Sequence, residues 1–247
     1  ISYSNVETIQ MYAFSNLTSL RGLYLKGNRL FTLHNFTFEK LNDLNFLDLS
    51  YSNVKLIETN AFYGLKSLKK LTLIGNRLKT IFDLTFQHLP NLLTLELEAS
   101  QIESVQTDAF VGVNNLTSLS MKNNPLNLIR SLTFAGELKF LDLSFMNLKS
   151  IGPEMFAYQE NLVTLILSEN QIEILANNTF ERLFKLENLY LTSSGLKIIE
   201  LNAFSKLYSL DFLLINENDL RVIRNYTFRD LAKLTELNLA YSNVETI

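Results

Sequence analysis

Leu71–Asn76 reads LTLIGN, and Phe86 follows ten residues after its last letter. The same order of residues returns along the chain, as in LYLKGN at Leu23–Asn28 and LILSEN at Leu165–Asn170. Leucine alternating with a variable residue predicts a short strand with one buried face. One such strand cannot bury its own leucines, so the stretch requires neighbours of the same kind stacked beside it.

Phenylalanine marks the period of the whole 247-residue chain, and the repeating unit reads LxxLxLxx(N/S)xLxxIxxxxFxxLxx. Successive members of the series are 24 residues apart, except for one step of 22. The missing two residues fall between Phe134 and Leu138, which predicts a trimmed loop before the seventh strand. The series is Phe14, Phe38, Phe62, Phe86, Phe110, Phe134, Phe156, Phe180, Phe204 and Phe228.

This unit resembles the leucine-rich repeat, in the 24-residue form typical of extracellular receptors, adhesion proteins and matrix proteins. The resemblance covers residues 1–247 and implies a single α/β solenoid domain without capping modules. The implied architecture is a curved right-handed stack of about ten repeats. A parallel β-sheet would line the concave side, and loops with short helical turns would form the convex side. The Asn after each strand would point inward and bond backbone groups of adjacent turns.

A second period, two repeats long, lies above the first. The position after each strand, here called the rung, alternates between Ser and Asn, and the residue before each Phe alternates between Ala and Thr. Two explanations remain open: duplication of a two-repeat block, or an alternation that sets packing or lateral assembly. Met146 cannot donate and accept as Ser or Asn can, so we expect a local weak point there. The rungs are Ser4, Asn28, Ser52, Asn76, Ser100, Asn124, Met146, Asn170, Ser194, Asn218 and Ser242.

The heptapeptide YSNVETI occurs at Tyr3–Ile9 and again at Tyr241–Ile247. Leu239 repeats the phase of Ile1, so a larger unit of 238 residues fits the chain. Neither end carries the polar cap that a soluble solenoid needs. Three accounts remain open: a fragment of a longer protein, a segment of a longer array, or a design or chimaera. Separate chains stacked head to tail would place a Ser-type repeat after a Ser-type repeat, and this mismatch favours a covalent array.

The composition argues against several functional classes. The net charge is −3 and no cysteine is present, so we expect no nucleic-acid partner and no thiolate metal site. No apolar run approaches the ~18 to 20 residues of a membrane span, so we expect no membrane contact by this segment. No catalytic motif or phosphate-binding loop appears, so we expect no enzyme, metal or cofactor. His34 and His88 lie in different repeats and are expected at the surface.

Five Asn-x-Thr sequons carry information about location. Three of them lie three residues before a core Phe, which predicts one row away from the concave sheet. The alternative is that Thr before Phe is simply a repeat position and Asn lands nearby. We expect N-linked glycans and an extracellular location, secreted or at the cell surface, because the 24-residue class is typically secreted. The sites are Asn16, Asn35, Asn115, Asn177 and Asn225.

The variable positions of each strand point out of the concave sheet, and exposed aromatics beside carboxylates are typical of protein interfaces. The alternative for each ring is that it only covers its neighbours. We predict a non-enzymatic interaction scaffold, resembling Toll-type receptor and adhesion ectodomains, that binds a protein or glycan. A structural glycoprotein forming an end-to-end or continuous fibre is the alternative, and an intracellular repeat enzyme is a distant third. The predicted binding residues are Tyr24, Lys26, Phe46, Asp48, Tyr51, Glu96, Glu98, Phe140, Asp142, Phe145, Tyr190, Phe212 and Tyr241.

Overall fold

The computed structural model describes residues 1–126 and 137–247. The described chain forms two compact units, which are unit 1 (1–124) and unit 2 (125–126 and 137–247). Phe134 and the trimmed loop lie outside the described residues. Each unit is a stack of coils with parallel strands on one side, so the predicted leucine-rich repeat solenoid is confirmed. That residues 1–247 form one domain stays a prediction.

Unit 1 contains five three-residue strands in one parallel ladder, and its two-residue strands form two separate parallel pairs. The strands are β1 (Gly22–Tyr24), β2 (Thr32–Leu33), β3 (Phe46–Asp48), β4 (Leu56–Ile57), β5 (Lys70–Thr72), β6 (Thr80–Ile81), β7 (Thr94–Glu96), β8 (Ser104–Val105) and β9 (Ser118–Ser120). The longer strands pair in chain order, β1 with β3 through to β7 with β9, and the central leucines stay in register. The shorter strands pair as β2 with β4 and β6 with β8.

Unit 2 repeats this arrangement. Its strands are β10 (Phe140–Asp142), β11 (Thr164–Ile166), β12 (Ile174–Leu175), β13 (Asn188–Tyr190), β14 (Ile198–Ile199), β15 (Phe212–Leu214) and β16 (Glu236–Asn238). The longer strands pair in the order β10, β11, β13, β15 and β16. The described part of the chain thus has five such strands in each unit, which matches the predicted number.

The phenylalanines form the far side of each core. Seven of the nine described rings are at most 4% exposed, and only Phe14 and Phe228 are half-exposed. Ring centroids of successive repeats lie 5.7 to 6.4 Å apart in unit 1 and 5.8 to 6.4 Å apart in unit 2. The 24-residue spacing therefore acts by stacking one ring on the next, where each makes many close contacts.

Helix is nearly absent among the described residues, whose one helix is a 3₁₀ turn at Pro153–Phe156. Elsewhere the chain beyond each Phe folds as consecutive turns. The N–H of Leu41 donates to the carbonyl of Phe38 at 3.2 Å, and the N–H of Leu44 donates to the carbonyl of Leu41 at 3.1 Å. No helix in the described part of the chain has the length and apolar character of a membrane span.

The Asn rungs bind backbone groups on both of their polar atoms. Asn76 is 1% exposed, and its Oδ1 accepts the N–H of Ser52 at 3.2 Å and of Val54 at 3.0 Å. Its Nδ2 donates to the carbonyls of Leu49 at 3.0 Å and Leu73 at 2.7 Å. The buried rungs Asn28, Asn124, Asn170 and Asn218 make equivalent bonds.

The Ser rungs also bond the backbone of adjacent coils, but they use the hydroxyl and the main-chain carbonyl. The Ser100 hydroxyl donates to the carbonyl of Leu73 at 2.7 Å and accepts the N–H of Asn76 at 3.3 Å. The Ser100 carbonyl accepts the N–H of Leu78 at 2.9 Å. In an Asn rung, the side-chain Oδ1 accepts the equivalent N–H. The two-repeat period therefore corresponds to two alternating hydrogen-bonding modes, which both explanations of the alternation allow.

Met146 occupies a Ser rung and is fully buried. Its N–H donates to Asn170 Oδ1 at 3.1 Å, as a Ser rung's N–H does. The weak point expected beside it stays a prediction, because the trimmed loop lies outside the described residues.

Candidate functional site

The strand face consists of the outward side chains on either side of each buried strand leucine. In β3, Leu47 is fully buried, whereas Phe46 and Asp48 on either side of it are half-exposed. The residue just before each rung lies at the edge of this face. Most predicted binding residues do reach solvent there, as the alternation of a strand requires. Tyr190, Phe212, Phe140, Lys26, Glu96 and Glu98 are half-exposed, and Tyr24, Tyr51, Phe145 and Tyr241 are exposed.

Unit 1 brings four of the predicted residues together. The rings of Tyr24 and Phe46 lie 5.1 Å apart between centroids, and the Lys26 ammonium lies 5.3 Å from the centroid of Tyr51. Tyr51 has φ 55°, an uncommon value for an aromatic residue. Its ring lies flat over Gly75, where a Cβ would overlap it. Tyr24 and Tyr51 remain more than half exposed although each ring contacts a neighbouring side chain.

A charged group lies beside Phe46 in unit 1, because Lys70 is the register partner of Phe46 on the next strand. The Lys70 ammonium lies 2.6 Å from Glu96 Oε1, and the Thr72 hydroxyl donates to Glu96 Oε2 at 2.6 Å. Sequence reasoning selected Glu96 and missed both partners. The signal was available, because Thr72 and Glu96 hold equivalent positions of neighbouring parallel strands, and Lys70, two residues before Thr72 on the same face, lies diagonally across from Glu96.

Unit 2 presents a more apolar strand face. Ile166, Tyr190 and Leu214 occupy one row across three strands and are half-exposed, and Phe212 adjoins them. The sequence analysis predicted Tyr190 and Phe212 as binding residues but missed the two aliphatic residues, because an aliphatic residue within a strand is ordinarily expected to be buried.

One predicted binding residue, Asp142, does not lie at the surface. It was expected to point into solvent, but only 9% of it is exposed. Its Oδ1 accepts the N–H of Ser144 at 2.9 Å and the hydroxyl of Ser144 at 2.6 Å. Asp48 accepts the N–H of Ser50 in the same way at 2.9 Å and is half-exposed. Aspartate commonly bonds the backbone two residues later, so both carboxylates stabilise the chain after the strand.

The phased sequons lie on another side of the coil and have a structural role. Asn35 Oδ1 accepts the N–H of Asn60 at 2.9 Å, and the N–H of Asn35 donates to Glu58 at 2.7 Å. This second bond lowers the pKa of the Glu58 carboxyl, with the His34 ring adding to the effect against a smaller rise from partial burial. Equivalent bonds join Asn177 to Asn202 and Glu200, and Asp83 to Asp108 and Gln106.

The sequon threonine is also structural. Thr37 is 3% exposed, and its hydroxyl donates to the carbonyl of His34 at 2.7 Å. Asp83, at the position that corresponds to Asn35, makes the equivalent bonds although it is not part of a sequon. The phase of the sequons therefore has a structural explanation, and glycosylation stays a prediction. Asn35 is half-exposed, and the exposed sequon residues are Asn16, Asn115, Asn177 and Asn225.

Neither histidine belongs to a metal-like cluster. His34 Nδ1 lies 3.2 Å from Glu58 Oε1, and His88 Nε2 lies 2.9 Å from Asn60 Oδ1. The His88 ring is half-buried and packs edge-on against Tyr63 at 5.2 Å. Across residues 1–126 and 137–247, no three His, Asp or Glu side chains gather as metal ligands would.

Known structures resemble this chain along nearly its whole length. Toll from Drosophila, in a complex with Spatzle, matches with a TM-score of 0.90 at 22% identity over 97% of this chain. A leucine-rich repeat protein of Leptospira interrogans matches with 0.79 at 22% identity over 100%, and the protein of the TLR13–ssRNA13 complex with 0.64 at 22% over 95%. The chain spans 32%, 64% and 42% of those solved chains, respectively. At this identity the likeness concerns the fold.

No curated protein sequence matches this chain. A family model described as the BspA type leucine-rich repeat region does match it, in six copies, over residues 1–117, 31–163 and 127–247. These ranges together cover the whole sequence, in agreement with the parallel ladders and the stacked phenylalanines of both units. The chain therefore belongs to the BspA-type leucine-rich repeat family.

Proposed function

We propose that the chain is an extracellular scaffold that binds a protein partner through its strand face, as part of a receptor or adhesion ectodomain. The observation that carries this proposal is the group of Tyr24, Phe46, Tyr51 and Lys26. Tyr24 is 56% exposed and Tyr51 is 54% exposed, yet each ring contacts a neighbour that limits its rotation. Rigid aromatic side chains lose little conformational entropy on binding, which is why they dominate many interfaces.

Three further observations support the proposal. The Lys70–Glu96 pair places a charged group beside Phe46, and a mixture of apolar and charged groups fits a protein surface better than a neutral sugar. Toll, which shares the fold, is solved in a complex with the protein Spatzle. Four of the five sequon asparagines are exposed, which is compatible with an extracellular glycoprotein.

A matched pair of variants tests the proposal. Tyr24→Ala removes a ring from the strand face, and Tyr12→Ala removes one from the turn before Phe14, away from that face. Both tyrosines are 56% exposed in the folded chain. The immobilised chain is offered the extracellular proteins of its native source, and the retained protein is then titrated against each variant by calorimetry. Glycans and single-stranded RNA are offered in parallel.

We expect one saturable protein partner, whose affinity falls at least about tenfold in Tyr24→Ala and changes less than about twofold in Tyr12→Ala. Equal effects of the two substitutions would place the contact away from the strand face. Retention of a glycan or an RNA without any protein would refute the partner class.

A further inference from the structure

Unit 2 carries an exposed apolar stripe on its flank. We define the flank by the residues three and four positions after each rung of unit 2: Lys149 and Ser150, Glu173 and Ile174, Lys197 and Ile198, Arg221 and Val222, Glu245 and Thr246. The β12–β14 ladder lies here, with Ile174 opposite Ile198, and Val222 bridges Thr246 in the same way. Ile174, Ile198 and Val222 are 46%, 44% and 53% exposed.

Unit 1 lacks such a stripe at the same position. Its corresponding described residues are Thr8, Thr32, Leu56, Thr80 and Ser104, and Leu56 alone among them is apolar. Thr80 and Ser104 bond each other through their hydroxyls at 2.8 Å. Three adjacent exposed β-branched residues are therefore specific to unit 2 and are not imposed by the repeat. Contiguous apolar surface of this kind often marks an interaction site.

The flank has a two-fold pattern about Ile198, in which the inner row keeps its order of polarity on reversal and the outer residues of the charged row change sign. The inner row runs Ser, Ile, Ile, Val, Thr, which is polar at both ends and apolar between them. The charged row runs Lys149, Glu173, Lys197, Arg221, Glu245, that is positive, negative, positive, positive, negative. Reversing this row and laying it on itself brings opposite charges together at every place except the central Lys197.

A two-fold axis produces this reversal. If the axis lies in the plane of contact, across the coils at Ile198, each coil faces the coil equally far on the other side of the axis. Lys149 then faces Glu245 of the second copy, and Glu173 faces its Arg221. Two of these side chains also have partners in their own chain, because the Lys197 ammonium lies 2.9 Å from Glu173 and Arg221 Nε lies 3.5 Å from Asp219 Oδ1. In the dimer, Glu173 would therefore lie between its own Lys197 and the Arg221 of the second copy.

We propose that the flank of unit 2 is a self-complementary surface that binds a second copy of this chain with the two coil stacks antiparallel. Two-fold interfaces use the same patch on both copies, and two of the three distinct pairings in the charged row join opposite charges, while Lys197 faces Lys197 of the second copy. The dimer leaves the strand face free. It also differs from head-to-tail stacking, because it uses the side of the coils and not their ends.

The size of the flank predicts a weak dimer. Five coils at ~4.8 Å each give a patch about 25 Å long, and a contact about 20 Å wide, which takes in residues on both sides of the two rows, would bury on the order of 1,000 Å² over both copies. This area lies at the low end of specific interfaces, so we expect a dissociation constant of roughly 10–100 μM. Sedimentation equilibrium of the 247-residue chain covers this range at loading concentrations from about 1 to 500 μM.

Charge reversal across the proposed contact tests the antiparallel register. Glu173→Lys and Arg221→Glu should each weaken dimerisation about tenfold, and the double variant should restore it to within about threefold, because the swapped residues face each other again. Thermal unfolding of each variant controls for misfolding. A monomeric chain at 500 μM, or a double variant no better than the single variants, would overturn the proposal.

Single cysteines test the position of the axis, since the chain has none of its own. Ile198→Cys places two thiols on either side of the axis in the dimer, and Leu56→Cys is the matched control, being 41% exposed at the same position of unit 1. A short bismaleimide should join Ile198→Cys chains at least about tenfold faster, because association raises the local thiol concentration. Equal rates for the two variants would contradict the proposed surface.

Discussion

Replacing Asn76 by Ala should remove most of the stability that one rung provides. The substitution deletes bonds to the N–H groups of Ser52 and Val54 and to the carbonyls of Leu49 and Leu73. Leu73 keeps the Ser100 hydroxyl at 2.7 Å, so three backbone groups lose this partner in a site that is 1% exposed. At about 1 to 3 kcal/mol for each group left unsatisfied, and allowing for relaxation, the expected loss is about 3–5 kcal/mol.

The neighbouring rung provides the comparison. Ser100→Ala deletes three bonds, but the Leu73 carbonyl keeps Asn76 Nδ2 at 2.7 Å and the Glu98 carbonyl keeps the N–H of Gly75 at 2.8 Å. Only the N–H of Asn76, bonded to the hydroxyl at 3.3 Å, loses this partner without a replacement. We expect a loss of about 1 kcal/mol. Asn76→Ser should fall between the two, because a hydroxyl at this position can reach the carbonyl of Leu49 as Ser100 reaches Leu73.

Equilibrium urea unfolding followed by far-UV circular dichroism and tyrosine fluorescence measures these losses. The three variants are compared at a common m-value, and coincidence of the two signals checks that a single transition is observed. The order Asn76→Ala, Asn76→Ser, Ser100→Ala, from largest to smallest loss, follows from the number of backbone groups left without a partner. If Asn76→Ala cost no more than Ser100→Ala, the asymmetry between the two rung types would be wrong.

Four further outcomes are expected. Phe86→Ala should cost about 3–5 kcal/mol in urea unfolding, because its fully buried ring stacks at 6.1 and 5.7 Å on its neighbours. Because the folded-state pKa of Glu58 is lowered, its ionised form stabilises the fold above its unfolded pKa, and this contribution fades as the pH falls through the folded pKa. Wild type should therefore lose more stability than Glu58→Gln between about pH 6 and pH 3. Glycosidase treatment of native material should lower its intact mass, and an unchanged mass would remove this support for an extracellular location. If the chain is a segment of a continuous fibre, electron microscopy of native material should show filaments with an axial period of ten repeats, about 48 Å; their absence would favour the receptor fragment.

The sequence predicted the core well because the core obeys the period. Phe38 and Leu47 lie where the repeat pattern places them, and both are fully buried. The inward orientation of Asn76 also followed from the resemblance. The repeat pattern could not predict how far an outward-facing residue is exposed to solvent. Asp48 and Asp142 stand in identical FLDLS segments, yet one is half-exposed and the other buried, because neighbouring coils decide how much water reaches them.

The binding face was harder to predict for the same reason. Tyr24 and Tyr51 were identified because aromatic letters at outward positions are conspicuous. The role of Gly75 beneath Tyr51 depends on a backbone conformation with φ 70°, which no spacing reveals. The flank of unit 2 was missed because its residues fall outside the L-x-L strand. Its symmetry becomes visible only when equivalent positions of five repeats are placed side by side.

The direction of the ladder bonds determines which contact a rung substitution weakens. A rung's side chain reaches its own coil and the coil before it, as Ser52 Oγ reaches the Leu25 carbonyl at 2.9 Å, and its backbone N–H reaches the coil after it. Met146 fits this rule, because its N–H and that of Leu148 still donate to Asn170, at 3.1 and 3.0 Å. An apolar rung therefore keeps its forward bonds, and only the backward ones need a hydroxyl. Met146 is the rung that follows the single 22-residue step of the chain. The repeat before it is two residues shorter than the others, and this is the repeat to which a rung hydroxyl would donate.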